Sequence, residues 1–306
     1  MSRHVILGKG PIGTHLASLL AGRGHEVVVL SRSGAPAGAD GMRHVALDAT
    51  DADALTRATD GAAALYNCAN PPYHRWPTDW PPINDALLTA AERSGAVLVT
   101  AGNLYGYGRG TSSMREDSPL ATTEPKGRVR VAMWQEAERR HRAGRVRATE
   151  VRGSDYLGPG ALAAAHAGPR LLVPVTTGRT ARPIGAADVP HTWTYLPDFA
   201  AALAAAAERE DAWGAAWHVP SPEPLTVREL ATRFATAAGA PAPRLAPVPV
   251  GMVRAIGLVN PMMREVGRTA YQFTEPFVMD STASQQVLGL GPTPWDAIVR
   301  ETLAAL

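Results

Sequence analysis

The first residues in this chain whose spacing spells out a chemistry are Gly8, Gly10 and Gly13, set as G-x-G-x-x-G within GKGPIG. Glycines at that spacing bring backbone N–H groups up to an anion. Gly8 permits a tight turn, Gly10 leaves room for a pyrophosphate, and Gly13 allows a helix to pack closely on the preceding strand. Pro11 and Ile12 stand between them where a helix can begin, and a helix N-terminus favours negative charge. A second set is spread further along. Tyr105 and Tyr107 flank Gly106, Lys126 lies in EPKGR, Asp155 and Tyr156 come just after VRGS, and His191 precedes Trp193 and Tyr195. A phenol can pass a proton, a desolvated lysine can act as acid, base or amine nucleophile, and a carboxylate can act as base. Each has a plainer reading beside it: packing tyrosines, a solvated lysine in an exposed turn, a turn aspartate, a structural histidine.

The elements that must position these groups are legible from periodicity. The apolar runs HVIL and EVVVL enclose the glycines and an amphipathic segment with Ile12, Leu16, Leu19 and Leu20 at helical spacing, a βαβ unit in the context a dinucleotide requires. The second strand ends in Ser31-Arg32-Ser33, with no carboxylate for a ribose 2′-hydroxyl. A planar, permanently charged Arg32 suits a 2′-phosphate, so NADP(H) is expected over NAD(H); the alternative is a solvated surface arginine. Further strands are expected at RHVALD, ALYNCAN, AVLVT, ATEVRG and WHVP. Helices are expected at DALTRATD, INDALLTAAERSG, VRVAMWQEAERRHRAG, about Asp198 to Ala207, TVRELATRFATAAG and the C-terminus. APAPRLAPVPV is read as a loop or edge strand. This alternation predicts an α/β fold, a doubly wound parallel sheet of the Rossmann type with a smaller, discontinuous C-terminal substrate lobe. The expected Rossmann domain covers residues 1–153, rejoined by about 188–220; residues 154–187 and 221–306 form the lobe. Ligands of such a sheet sit outside the carboxyl ends of its strands. That assigns Cys68, Ala69, Asn70 and Thr100 to the cofactor, and Tyr73 to the mouth of the site.

Composition excludes other classes. The 306 residues carry a net charge of +2 and are 45% apolar, enough for a sizeable core, with no basic cluster interleaved with aromatics; no nucleic-acid partner is expected. No apolar run reaches membrane-spanning length and a strand begins within a few residues of the N-terminus, so a cytoplasmic protein without a signal peptide or membrane partner is expected. The single cysteine, Cys68, excludes an internal disulfide and reads as a buried inert thiol. No Cys/His cluster has zinc spacing, so no metal is expected. The expected partners are a small-molecule substrate and, at most, a second copy in a homodimer.

Taken together the chain resembles the extended branch of the short-chain dehydrogenase/reductase superfamily, the NAD(P)-dependent epimerase/dehydratase-like proteins. The likeness rests on GKGPIG, Asp48 in ALDATD, NLYGYG, VRGSDYLGPG, TWTYLPDFAAAL and LGLGPTPWDAIVRETL, and covers essentially the full length. It implies that Asp48 contacts the adenine, though Asp48 also reads as a helix N-cap. It further implies that Asn103, Tyr156 and neighbouring groups line the substrate, and that Asp198 holds the lobe. Members of the superfamily use a Ser or Thr after the fifth strand and a Tyr-x-x-x-Lys pair on the next helix. Laying NLYGYG on the corresponding loop puts Ala101, Lys126 and Arg130 at those positions, and the chain has only two lysines, Lys9 and Lys126. The resemblance therefore implies an atypical member.

Tyr105, Tyr107, Lys126 and Asp155 are the candidates for the missing proton chemistry, and Tyr73, Asn103, Tyr156, His191 and Trp193 the candidates for substrate contact. The expected function is an NADP(H)-binding enzyme acting on a small, fairly apolar carbonyl or hydroxyl compound, polyketide-like and of secondary metabolism, with a non-standard proton donor. The alternative is a non-redox isomerase, cyclase, dehydratase or lyase with an idle or absent cofactor. A dinucleotide sensor without turnover ranks last, since the chain shows no charged tail or basic partner surface.

Overall fold

The computed structural model describes residues 1–34, 42–111, 113–162 and 165–306. In chain order it contains β1 (Arg3–Leu7), α1 (Pro11–Gly22), β2 (Glu26–Ser31), β3 (Arg43–Ala46), α2 (Ala52–Thr59), β4 (Ala64–Asn67), α3 (Trp76–Ser94), β5 (Val97–Asn103), β6 (Ser113–Met114), α4 (Pro125–Arg142) and β7 (Ala148–Gly153). Then come β8 (Asp155–Leu157), α5 (Pro169–Thr176), β9 (Thr180–Ala181), β10 (Trp193–Tyr195), α6 (Leu196–Glu208), β11 (Ala216–His218), α7 (Val227–Ala237), β12 (Arg244–Leu245), α8 (Val250–Ile256), α9 (Pro261–Arg268), β13 (Val278–Met279), α10 (Thr282–Leu288) and α11 (Trp295–Ala304).

Seven strands form one sheet in the order β11-β7-β5-β4-β1-β2-β3, and every pairing in it is parallel. The fold is thus the α/β doubly wound architecture expected from the alternation of strands and helices. The order reverses between β1 and β4, where Leu7 pairs with Leu30 on one side and with Asn67 on the other. At such a switch point connections leave in opposite directions and a crevice opens at the carboxyl edge. The strands are buried on both faces, which explains their unbroken apolar runs. One face packs Leu16 and Leu20 of α1 against Phe199 and Leu203 of α6; the other packs Leu55 of α2, Trp80 and Leu87 of α3 and Met133 of α4.

Helix α3 starts at Trp76, well before the Ile83 expected from periodicity. Pro81 and Pro82 lie inside it, forgoing backbone hydrogen bonds. The burial of Trp76 and Trp80 one turn apart, with 1% and 0% exposure, outweighs that loss. Periodicity also misses α5, α8, α9 and α10. Helices α5 and α9 each open on a proline in the first turn, where the missing N–H costs nothing. In APAPRLAPVPV, Arg244 and Leu245 pair in parallel with Thr180 and Ala181 of β9, a short edge ladder. Asp198 in the first turn of α6 accepts from Thr293 N–H at 2.9 Å and from the Thr293 hydroxyl at 2.6 Å, tying that helix to the segment before α11. Among the described residues no helix is long and apolar enough to cross a membrane.

Candidate active site

The three glycines differ in what forbids a side chain. A Cβ on Gly8, whose φ is +111°, would sit 2.5 Å from the Cys68 carbonyl oxygen, and one on Gly13 would sit 2.0 Å from the Gly8 carbonyl oxygen. The protein's own packing demands both. A Cβ on Gly10 would meet nothing within 4 Å, so the space in front of it is open. Gly10 also stands at the N-cap of α1, where no side chain caps the helix and no acidic residue lies in the first turn. Two buried polar atoms, Ser31 Oγ at the end of β2 and Asn67 Nδ2 at the end of β4, have no hydrogen-bond partner among the described residues. Open space at Gly10, an uncapped helix N-terminus and unpartnered donors on both sides of β1 fit a dinucleotide laid across the switch point.

Around this cradle, Arg32 is exposed directly after β2. Lys9 reaches over from the glycine loop and donates to Ser33 Oγ at 2.8 Å and the Gly34 carbonyl at 2.9 Å. Asp48 is exposed and its Oδ1 accepts from both the N–H and the hydroxyl of Thr50 at 2.9 Å, which lowers its pKa. The cap of α2 is instead Asp51, accepting from Ala54 N–H at 2.9 Å, so the capping role read for Asp48 belongs three residues on. The Cys68 thiol is buried and burial pushes its pKa up to about 12, as suits an inert thiol. Ala69 N–H donates to Asn67 Oδ1 at 3.3 Å, Asn70 is exposed, and Thr100 pairs with Asn67 across β4 and β5.

Past the ends of β5 and β7 the structure gathers a second group. Asn103 Oδ1 accepts from Tyr105 N–H at 3.2 Å and so starts the short 3-10 turn that turns Tyr105 off the sheet. Asn103, expected to line the substrate, spends its carbonyl on the backbone. The Tyr105 hydroxyl lies 3.5 Å from that of Tyr73. Burial, then the neighbouring Tyr73 and Asp155, hold Tyr105 well above the usual tyrosine range, so it is a neutral donor. Tyr73 is raised by burial too, with Tyr105 and the Arg130 charge pulling the other way. Arg130, 7% exposed, lies with its guanidinium carbon 4.7 Å from the Trp76 ring and 4.5 Å from the Trp80 ring, and donates to the Ala101 carbonyl at 3.3 Å. Its charge reaches Tyr73, Tyr105 and Tyr156. The sequence gives Arg130 no role of its own beyond its i+4 spacing from Lys126, which is the one local signal that it belongs here.

Asp155 opens β8, with Oδ2 2.8 Å from His191 Nε2. That Oδ2 is buried against His191. Burial works against the Asp155 charge, yet His191 and His166 outweigh it and hold the carboxyl below its usual range. Tyr156 packs at a tilt against Phe199 with centroids 5.9 Å apart and burial raises its pKa. The structure thus brings Tyr73, Tyr105, Tyr156, Asp155 and His191 together.

Three other candidates have their polar atoms engaged inside the protein. Tyr107 is 1% exposed; its hydroxyl accepts from Arg152 at 2.9 Å and lies 2.7 Å from His218 Nε2, whose Nδ1 stands 2.6 Å from the Asp280 carbonyl. A carbonyl only accepts, so His218 Nδ1 carries the hydrogen and Nε2 takes the Tyr107 proton; this tautomer is assigned from the network. That proton is committed inside the protein. Trp193, 1% exposed, donates to the Leu225 carbonyl at 2.9 Å and anchors the core of β10, α5, α7 and α11. Lys126 is 0% exposed, not a solvated turn residue: Nζ donates to the Glu265 carbonyl at 2.6 Å and pairs with the Glu265 carboxylate at 3.2 Å. It sits 5.3 Å from the Tyr73 ring centre, and burial lowers its pKa while Glu124 and Glu265 oppose that.

Comparison with known proteins accords with this geometry. The chain is 29% identical over 263 residues to the epimerase family protein SDR39U1 of Bos taurus, covering 81% of this chain and 84% of that protein. Among solved structures it is similar to UDP-glucose 4-epimerase of Thermotoga maritima, with a TM-score of 0.80 and 16% identity over 99% of this chain and 98% of that one. It is also similar to a double mutant of DesIV, a dTDP-glucose 4,6-dehydratase of Streptomyces venezuelae solved with NAD and DAU bound, at a TM-score of 0.75 and 22% identity over 100% and 96% of the two chains. The sequence model of the NAD dependent epimerase/dehydratase family matches residues 5–219, and the chain belongs to that family.

Proposed function

We propose that this protein is an NADP(H)-dependent reductase of a small, fairly apolar carbonyl compound in which Tyr105, not a Tyr-x-x-x-Lys pair, passes the proton. The observation that carries the reading is the Tyr105 hydroxyl 3.5 Å from the Tyr73 hydroxyl, in the field of the buried Arg130. The residues at the positions of the superfamily's Ser, Tyr and Lys are Ala101, Lys126 and Arg130, so the hydroxyl has to come from another element. When bound, the nicotinamide supplies hydride. The substrate oxygen then needs a proton, because an alkoxide is costly in a desolvated site. Tyr105 gives it up and is resupplied through the hydroxyl of Tyr73. Arg130 holds a fixed positive charge where the superfamily holds its lysine; it does not titrate, so it steadies the developing tyrosinate without shuttling a proton.

NADP(H) is favoured over NAD(H) by Arg32 at the end of β2, with Lys9 on the adjoining loop adding a second positive charge. An apolar substrate is favoured by the half-buried rings of Tyr73 and Tyr156 past the strand ends. Similar structures bind UDP-glucose and NAD, so a nucleotide sugar is the other substrate class to include. The test is loss of the reduced-nicotinamide absorbance when NADPH and the protein meet a panel of apolar ketones, with UDP-glucose alongside. Carbonyl-dependent oxidation lost in Tyr105→Phe is expected. Substrate turnover with the bound NADP(H) left unchanged overturns the redox reading.

A further inference from the structure

Asn103, the last residue of β5, pairs with Gly153, the last residue of β7. Tyr105 and Asp155 each lie two residues beyond that pair, so a phenol and a carboxylate leave neighbouring parallel strands at the same carboxyl edge. Tyr73 backs the phenol from the β4 side at 3.5 Å between hydroxyls. His191 backs the carboxylate from the β10 side: Nε2 stands 2.8 Å from Asp155 Oδ2, and Nδ1 is 3.1 Å from the Gln272 carbonyl. A carbonyl only accepts, so Nδ1 carries a hydrogen and the ring is locked in place. The buried Oδ2 is turned to His191, while the Asp155 side chain is 21% exposed and its Oδ1 has no donor among the described residues, so Oδ1 retains a lone pair for a ligand.

We propose that this site also enolises a carbonyl compound without a redox cofactor, with Asp155 as the base on the carbon next to the carbonyl and the Tyr105 hydroxyl, backed by Tyr73, as the donor to its oxygen. The α C–H bond breaks and its proton goes to Asp155 Oδ1. The C–H electron pair becomes the C=C bond while the carbonyl pair moves onto oxygen, where the Tyr105 O–H holds it. Reprotonation from Asp155 at the same carbon, once its proton has traded with water, completes an exchange, and at the far end of a conjugated system an isomerisation; nothing is oxidised or reduced. A neutral donor paired with an ionised carboxylate in an apolar surround is the arrangement such chemistry requires. Asp155 stays ionised at neutral pH because its contact with His191 outweighs burial and holds the carboxyl below its usual range, and Tyr105 stays protonated because burial, Tyr73 and Asp155 raise it. His191 is a positioning residue, acting through Asp155. The inference uses the site of the proposed reduction but not its cofactor.

The probes are 2-tetralone, an apolar ketone with exchangeable α-hydrogens, and 2-naphthol, a planar mimic of its enol. Cofactor-free protein in D2O is expected to exchange 2-tetralone at least about tenfold faster than buffer, by NMR, with NADP+ making no difference. Asp155→Asn should return the rate to that of buffer, and Tyr105→Phe should cut it about tenfold while weakening 2-naphthol binding, followed by fluorescence. In His191→Gln the acid limb of the exchange-rate profile should move to higher pH, because Asp155 loses the partner that lowers its pKa; the other groups facing it, His166, Tyr73, Tyr105 and Tyr156, are unchanged. Exchange no faster than buffer, absence of 2-naphthol binding, or an Asp155→Asn rate equal to that of the unmutated protein overturns the proposal. None of these outcomes bears on NADPH oxidation, so the two readings fail separately.

Discussion

Lys126 Nζ, fully enclosed, meets Glu265 twice, at its backbone carbonyl and at its carboxylate, and so joins the first turn of α4 to α9 across 139 residues of sequence. Glu265 holds Arg268 at 2.6 Å with its other oxygen, so both carboxylate oxygens are engaged. A lysine placed this way has its proton and its geometry fixed by a structural partner.

Lys126→Ala should therefore act on stability. Removing one member leaves the Glu265 charge buried with half its partners, a loss of roughly 3–5 kcal/mol. Denaturant unfolding checks it, and adding Glu265→Gln to Lys126→Ala should restore part of the loss. A Lys126→Ala variant of unchanged stability contradicts the assignment.

The two neighbouring tyrosines should separate cleanly. Tyr105→Phe should lower NADPH-dependent turnover by about a hundredfold or more at nearly unchanged stability. Tyr107→Phe should do the reverse: Arg152 Nη1 and His218 Nε2 lose their shared partner, costing about 1–3 kcal/mol, with turnover kept. Steady-state kinetics and urea unfolding on both variants give the comparison.

The cradle makes its own predictions for cofactor variants. NADP(H) should bind at least about tenfold more tightly than NAD(H), and Arg32→Glu should reverse the order. Gly10→Val should abolish the thermal shift produced by NADPH while the protein stays folded, since the space in front of Gly10 is free of protein. Gly13→Val should instead damage folding itself, because its Cβ would collide with the Gly8 carbonyl. A Gly10→Val protein still stabilised by NADPH places the cofactor elsewhere.

Acid should unfold the protein partly through His218. Burial lowers its pKa from 6.5 to about 4, so between those values the unfolded chain binds more protons than the folded one. Stability from this group is complete above pH 6.5 and falls as pH drops toward 4, by up to roughly 3 kcal/mol. Unfolding free energies from pH 7 to pH 4.5 should fall more steeply in the unmutated protein than in His218→Gln. Parallel profiles would remove His218 from the account.

Local spacing along the chain specified the sheet and its cradle. Gly8, Gly10 and Gly13 sit between two apolar runs, and alternating strands and helices leave few ways to bury those runs other than a parallel sheet covered on both faces. Such signals reach over two to four residues and need no distant partner. Which polar side chains meet was settled by packing between segments far apart in the chain. Tyr105 and Tyr107 are alike in sequence, yet one faces Tyr73 and the other is bonded to His218, 111 residues on. Lys126 reads as a turn residue until α9, which opens on Pro261, supplies Glu265. The partner of a buried charge is set by how distant segments pack, and no local spacing in the chain records that distance.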